Sequence, residues 1–572
     1  MVLPVLRWFP AVLVIANARY LWTREDDIHR CFLVGLGIVA AWLLWLWILQ
    51  PRPPAPSPTY RPTNRTEILC LIAILALGVV ARFYDLESYP PADRSVIEET
   101  QTGGIAFHTV MYGHFDPEFP LTNLLGECGL RLFGRTMMGL RIPFVIWSCV
   151  GVFFFYLAAR LYLRTPLAFL AATLLFATNT YVIASGRTAM ETFAPITTLC
   201  LAIAATVHAR NRRGFFAVAL AGAANGLLFI EYFSFRFVGL VNCVFLLAFL
   251  AQGPPLGHVL EDRRRWRWRN LWSARAEITL FFAVVASVAI VCWLQLARRD
   301  PIGLVEGLNR HLQGRGDELH ARSWIDLASA GAAGAKTQAQ RLFFGGGEST
   351  VTNSSQGIFD PVTSWLVIAA FFYASVRAGR SVARWWPIVL TVLAVAVAGA
   401  LTPLTQRYRV LCTLPFLLLI LSVPVDDFLA KKRPRMALAA WATGVIAVGL
   451  AMVNLHTFFG RTITDPLVRA YSYDFPLQVA LEIVERQQAR STKPLVLLSR
   501  GMVDEHGGDA AWLYERDRVT LVESLDGIKG PMVVIACDAL AEMVEHDPGF
   551  RILRVWEDPM VLHGRYVVAE RD

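Results

Sequence analysis

Twelve apolar runs, most of them close to the length of a bilayer crossing, restrict this chain to one kind of architecture. They are Cys31–Gln50, Glu67–Leu86, Met138–Leu163, Pro166–Ala184, Thr192–Ala209, Phe215–Phe233, Phe237–Gly253, Ile278–Ala297, Val362–Arg377, Trp386–Leu401, Val410–Phe428 and Met436–Asn454. A hydrocarbon core takes roughly 20 mostly apolar residues per crossing. Within it every backbone N–H and C=O must be satisfied internally, so segments of this length cross as α-helices. Leu3–Leu21 is a weaker thirteenth run, interrupted by Pro4, Arg7, Pro10 and Arg19, and those same residues spoil it as a signal peptide. The expected fold is a polytopic α-helical membrane protein of about 12–13 transmembrane helices. Composition agrees: 55% of residues are hydrophobic and 17% charged, against roughly 25% charged in soluble chains. Disorder, collagen-like repeats and a secreted disulfide scaffold are excluded.

Charge gives the runs a direction. Every second loop is basic: Arg52, Arg61 and Arg65; Arg160 and Arg164; Arg210, Arg212 and Arg213; Arg263 to Arg269; Arg377, Arg380 and Arg384; Lys431 to Arg435. Such loops stay cytoplasmic, so Glu87–Met137, Arg298–Pro361 and everything after Asn454 should face outward. From Leu455 onward there are 13 basic and 19 acidic residues, a net of −6, while the rest of the chain is +15. The basic body is read as membrane anchoring, not nucleic-acid binding. After Asn454 a helix-like run, Pro476–Ala489, is followed by short β-like runs at Pro494–Leu498, Val519–Val522, Met532–Ala536, Arg551–Trp556 and Val561–Val568. Their spacing predicts a small α/β domain. Three units are expected: 1–66, an extra membrane segment and Pro-rich loop; 67–454, a transmembrane catalytic module with outer loops 87–137 and 298–361; and 455–572, an extracytoplasmic α/β domain. Cysteines sit mainly in apolar runs; Cys128 and Cys537 lie outside them, with no paired spacing to suggest a bond.

The first outer loop holds the chemistry. It reads Arg82-Phe-Tyr-Asp-Leu-Glu-Ser-Tyr-Pro-Pro and then Ser95-Val-Ile-Glu98-Glu99-Thr100, with Asp93 between. Adjacent carboxylates just beyond a span suit a general base or a metal ligand at the membrane face, or simply a solvated acidic turn.

The order of the surrounding pieces is more specific. Arg82, Leu86, Pro90-Pro91, Glu98-Glu99, Pro120-Leu121, Leu132-Phe133-Gly134 and Arg141 follow one another. Downstream come Ser185-Gly-Arg187, Glu231-Tyr232 with Arg236, Asn353 with Asp360-Pro361, and Arg407-Tyr408 before Pro415. This set resembles the GT-C superfamily of membrane glycosyltransferases, in the branch of dolichyl-phosphate-mannose–protein mannosyltransferases and lipid A aminoarabinose transferases. The resemblance runs from about Arg82 to Pro415. Two departures stand out. Glu98 replaces the family's first Asp, and Pro90-Pro91 is followed by Ala92-Asp93 instead of Gly, which leaves Asp93 open as an alternative base.

The resemblance implies an inverting transfer of a sugar from a polyprenyl-phosphate carrier to a protein, lipid or glycan acceptor on the outer face of the plasma membrane. Glu98 would take the acceptor proton, and Glu99 would steady it or bind a divalent cation such as Mg or Mn. Arg407 with Tyr408, Arg187 and then Arg236 would bind the donor phosphate, since a guanidinium fork pairs two phosphate oxygens. Glu191 and Glu231 are weaker candidates. Nucleic acid is not an expected partner.

Two rivals remain in view. A polyprenyl-linked glycan ligase or polymerase would use the second loop, which carries Arg310, His311, Arg315 and His320. A transporter would need ionisable residues at mid-span, where this chain has almost none. His108 and His114 fall on different helix faces, which argues against zinc, and Gly345-Gly346-Gly347 lacks the Lys of a P-loop.

Overall fold

The computed structural model describes residues 8–23, 28–49, 63–84, 86, 102–103, 105–106, 109–110, 119–134, 137–190, 194–253, 258, 260, 267–299, 324–345, 357–379, 381–401, 407–431, 436–462, 493–498, 519–522, 524–525, 530–537, 539–557 and 565–571. The membrane part contains α1 (Phe9–Thr23), α2 (Ile28–Ile48), α3 (Arg65–Phe83), α4 (Pro120–Leu132), α5 (Met137–Tyr162), α6 (Pro166–Thr178) and α7 (Thr180–Gly186). It continues with α8 (Pro195–Arg212), α9 (Phe215–Phe229), α10 (Phe233–Ala251), α11 (Trp268–Ser273), α12 (Arg275–Arg299), α13 (Trp324–Phe344), α14 (Pro361–Ala378) and α15 (Val382–Leu401). A 3₁₀ turn at Arg407–Thr413 leads into α16 (Leu414–Leu429), and α17 (Met436–His456) ends in a π-helical turn, Thr457–Thr462.

Each of the twelve apolar runs is a helix. Eight helices among the described residues are long and apolar enough to cross a membrane. The run Pro166–Ala184 is a broken ninth, because α6 and α7 meet at 54°. The break falls at Asn179, whose side chain caps α7 by accepting from Tyr181 and Val182 N–H. Two other runs, α9 and the apolar part of α15, are shorter helices, as is the weak thirteenth run at Pro10–Leu21. The run at 192–209 begins at Pro195, where the ring sits in the first helical turn and its missing N–H costs nothing.

Small residues bring the helices together, as expected where lipid offers no hydrophobic push. Gly222 and Gly226 press α9 onto α12, so close that a Cβ on Gly222 would stand 2.8 Å from the Phe281 carbonyl. Gly151 of α5 meets Thr197 of α8 in the same way. A polar knot inside the bundle is satisfied within itself: Asn242 donates to Asn225 and Thr206, and Trp386 donates to Asn242. The span Val410–Leu429 is 83% buried and forms the axis; Ala437–Arg461 is 17% buried and lies at the edge. The N-terminal pair α1–α2 packs on α12.

The two ends of the bundle differ. At one, which we term the basic end, Asp426 and Asp427 of α16 draw in Arg164 and Arg384, with Tyr373 donating to Asp427. Arg160 pairs there with buried Glu67 at 2.6 Å. Arg160, Arg164 and Arg384, from two of the alternating basic loops, thus gather at one end. The opposite end receives the C-terminus of α3, all of α7 and the π turn.

After the bundle lies a five-stranded sheet, β1 (Leu495–Leu498), β2 (Val519–Val522), β3 (Met532–Cys537), β4 (Arg551–Glu557) and β5 (Arg565–Arg571), in the order β2-β1-β3-β5-β4. β1 runs parallel to β2 and β3, with Leu495 opposite Val519 and Val533; β5 runs antiparallel to β3 and β4. All five predicted strands are present. The helix over them, α18 (Ala539–His546), packs Leu540, Ala541 and Val544 onto Val534, Ala536 and Val567. The helix-like run 476–489 lies outside the described residues. The chain is therefore a polytopic α-helical membrane protein with a small α/β sheet at its C-terminal end.

Candidate functional site

Asp93, Glu98, Glu99 and Glu191 lie outside the described residues. The structure describes residues at both ends of the acidic segment: Thr102 and Ala106 on the far side are buried, and on the near side Ala81, Arg82 and Leu86 are buried while Phe83 and Tyr84 are exposed. On the far side Thr102 and Ala106 are sealed, and a Cβ on Gly126 of α4 would stand 2.9 Å from Ala106 Cβ. Ala106 packs there with Leu140, Ala189 and Ala194. α4 itself is amphipathic, and its Glu127 accepts from Arg131 and contacts His29 of α2 at 3.0 Å.

On the near side the segment departs from the C-terminus of α3. The last carbonyls of a helix have no partner within it and carry its negative dipole end. Arg187 supplies the partner. Its Nη1 donates to the carbonyls of Ala81, Arg82 and Tyr84 at 3.2, 3.3 and 2.7 Å. The guanidinium is fully buried and stands 5.6 Å from the ring centroid of Phe458. Arg187 reaches this position because α7 ends at Gly186, where a side chain would collide with Ser148.

Arg82 is the second sealed cation. Nε donates to Ser148 Oγ at 2.8 Å, and Nη1 to the carbonyls of Gly78 and Ala177. Among the described residues no carboxylate forms an ion pair with Arg82. Next to Ser148 and Gly186 lies a small cavity of about 10 Å³, room for roughly one water, walled also by Phe144, Trp147 and Val182.

The other expected phosphate ligands are distributed around the same end. Arg236, half-buried near the start of α10, donates through Nε to the carbonyl of Glu231. Glu231 is fully buried, and Tyr232 stacks on Phe119 at the root of α4, with centroids 6.2 Å apart. Arg407 and Tyr408 open the 3₁₀ turn; their side chains lie outside the description. Asp360 proves to be the N-cap of α14, accepting from Val362 and Thr363. No group of three His, Cys, Asp or Glu able to hold a metal gathers among the described residues.

Sequence reasoning missed Tyr84, Ser148, Asn179 and Phe458. Only Asn179 left a signal there, as a polar residue amid an apolar run.

Comparison with known proteins agrees with the loop motifs. Residues 116–256, about a quarter of the chain, match the family described as dolichyl-phosphate-mannose-protein mannosyltransferase. ArnT from Cupriavidus metallidurans, solved with undecaprenyl phosphate, aligns over 88% of this chain and 97% of its own at 14% identity, TM-score 0.49. The S. cerevisiae protein O-mannosyltransferase Pmt1-Pmt2 complex, solved with its sugar donor, aligns over 42% and 35% at 16% identity, TM-score 0.34. The archaeal oligosaccharyltransferase AglB from Archaeoglobus fulgidus aligns over 78% and 63% at 13% identity, TM-score 0.42. No curated protein matches the chain. Over residues 116–256 the chain is similar to the dolichyl-phosphate-mannose-protein mannosyltransferases.

Proposed function

We propose that this chain, similar over residues 116–256 to the protein mannosyltransferases, is an inverting glycosyltransferase. It moves one sugar from a polyprenyl-phosphate carrier to a hydroxyl of a protein, lipid or glycan acceptor, at the outer face of a plasma membrane. The observation that carries this reading is the fastened root of the acidic segment. A fully buried arginine holds the turn from which Asp93, Glu98 and Glu99 are strung, at the end of the bundle away from the basic loops.

The leaving group is already a phosphate, so alignment and acceptor deprotonation are the demanding tasks. Glu98 is the proposed base, with Asp93 the alternative. A single displacement by the acceptor oxygen inverts the anomeric carbon. Arg407 with Tyr408, and Arg236, are the proposed partners of the donor phosphate. Arg187 stands at the edge of that set: Nη1 is committed to three carbonyls, so it contributes positive field more than a free fork. Glu98 and Glu99 offer hard oxygen ligands of the type Mg or Mn accepts, and a divalent ion there would help neutralise phosphate charge.

The test uses purified protein in liposomes with a panel of polyprenyl-phosphate sugars, with and without a chelator. Glu98→Gln keeps the shape and removes the base, and should cost roughly a hundredfold or more in turnover. A variant with near wild-type rates passes the role to Asp93 or Glu99. Wild type that consumes no monosaccharide carrier returns the reaction to a glycan ligase or a transporter.

A further inference from the structure

The last span does not simply stop; it widens into the π turn Thr457–Thr462, a rare geometry that recurs at functional positions. Two rings on that turn reach the root of the acidic segment. Phe458 is fully buried and lies against the Arg187 guanidinium. Phe459 meets Phe458 edge-on at 4.9 Å and Tyr84 edge-on at 5.7 Å. Thr180, at the start of α7, donates to the Asn454 carbonyl one turn earlier at 3.3 Å. α7 and the π turn thus close on the C-terminus of α3 from two sides.

The rings and the carbonyls act on one guanidinium. An arginine on three carbonyls is held along its N–H direction only; an aromatic face fixes the orientation of its plane as well. We infer that Phe458 is a positioning residue for the transfer reaction. It sets Arg187, and Arg187 holds the Ala81, Arg82 and Tyr84 carbonyls at the end of α3, the point after which Asp93, Glu98 and Glu99 follow in sequence. Phe459 supports the same turn through Tyr84. The connection to the C-terminal sheet domain therefore begins inside the catalytic scaffold. This inference rests on the proposed function for its kinetic consequence, and on geometry alone for its structural one.

Two readouts separate those parts. Hydrogen exchange over residues 80–90 reports the root directly. Phe458→Leu keeps bulk and removes the π face, and should raise exchange at the Tyr84 and Leu86 amides about three- to thirtyfold, leaving α5 unchanged. Phe458→Tyr should match wild type. In the transfer assay Phe458→Leu should lower kcat roughly ten- to hundredfold, with donor KM within about twofold, because alignment and not binding is lost. A Phe458→Leu chain that does not fold leaves Arg187→Lys, which keeps the charge and loses the fork, to give the same two readouts. Equal exchange at the root in wild type and Phe458→Leu, or a Tyr variant as impaired as Leu, overturns the inference. If wild type transfers nothing, the function reading fails, and exchange alone decides the positioning role.

Discussion

At the scale of single residues the strongest forces lie at the basic end. Asp426 is fully buried and accepts from the Arg164 and Thr165 N–H groups and from Arg164 Nε. Asp427 takes both nitrogens of the Arg384 fork as well as Arg164 Nη2. The group is two cations against two anions, so it is neutral as a whole. Removing one member strands a buried charge, which costs on the order of 3–5 kcal/mol. Asp427→Ala should therefore lower thermal stability in detergent far more than loss of an exposed carboxylate such as Glu542. A change of under about 1 kcal/mol, the usual worth of a surface pair, would mean that the cluster is hydrated. Sequence showed these as loop charges in phase. It could not show that two aspartates inside an apolar run would turn toward them, because a hydropathy sum does not say where a side chain points.

At the scale of elements, the helix count, the strand set and the alternation of basic loops were all readable from residue order. Hydrophobic periodicity and loop charge are properties of segments, and segments survive averaging. The kink between α6 and α7 did not. One asparagine stands at it, capping the second half-helix while its Nδ2 donates to the Ile358 carbonyl, three residues before α14 begins, 3.0 Å away. Asn179→Ala should destabilise the fold by ~1–2 kcal/mol through the lost cap and the orphaned carbonyl. It should also loosen α7, read as faster hydrogen exchange at Tyr181 and Val182 than in α5. Unchanged exchange there would show that packing alone sets the bend. The candidate site was legible only as a motif order. The carbonyl cap by Arg187 and the ring beside it join residues about a hundred and then fewer than three hundred positions apart, which no local spacing encodes.

At the scale of the molecule, the bundle is closed at its basic end by ion pairs and built at the other from turns, caps and rings. The sheet domain follows the second end in sequence, with the Glu570 carboxyl held below its ordinary value by hydrogen bonds from Lys493 and Arg551. Cysteines are scattered through this body as free thiols, most of them buried; Cys128 on α4 is exposed. Partial burial, and then the neighbouring Glu127, push its thiol above the ordinary range. A membrane-impermeant maleimide should therefore modify Cys128 slowly near neutrality and faster as pH rises toward and beyond about 9. Cys70 is exposed too, but on the flank of α3, a helix long and apolar enough to cross a membrane, where lipid would keep out an impermeant reagent. With Cys537→Ser as background, sealed vesicles of known orientation give a direct reading. Labelling from the outer face sets the helix bearing Cys128 outside, and labelling from the cytoplasmic face inverts the whole assignment. The chain thus carries its own reporter of sidedness, one native sulfur beside the helix that flanks the site, and needs no added tag to say which compartment the reaction would serve.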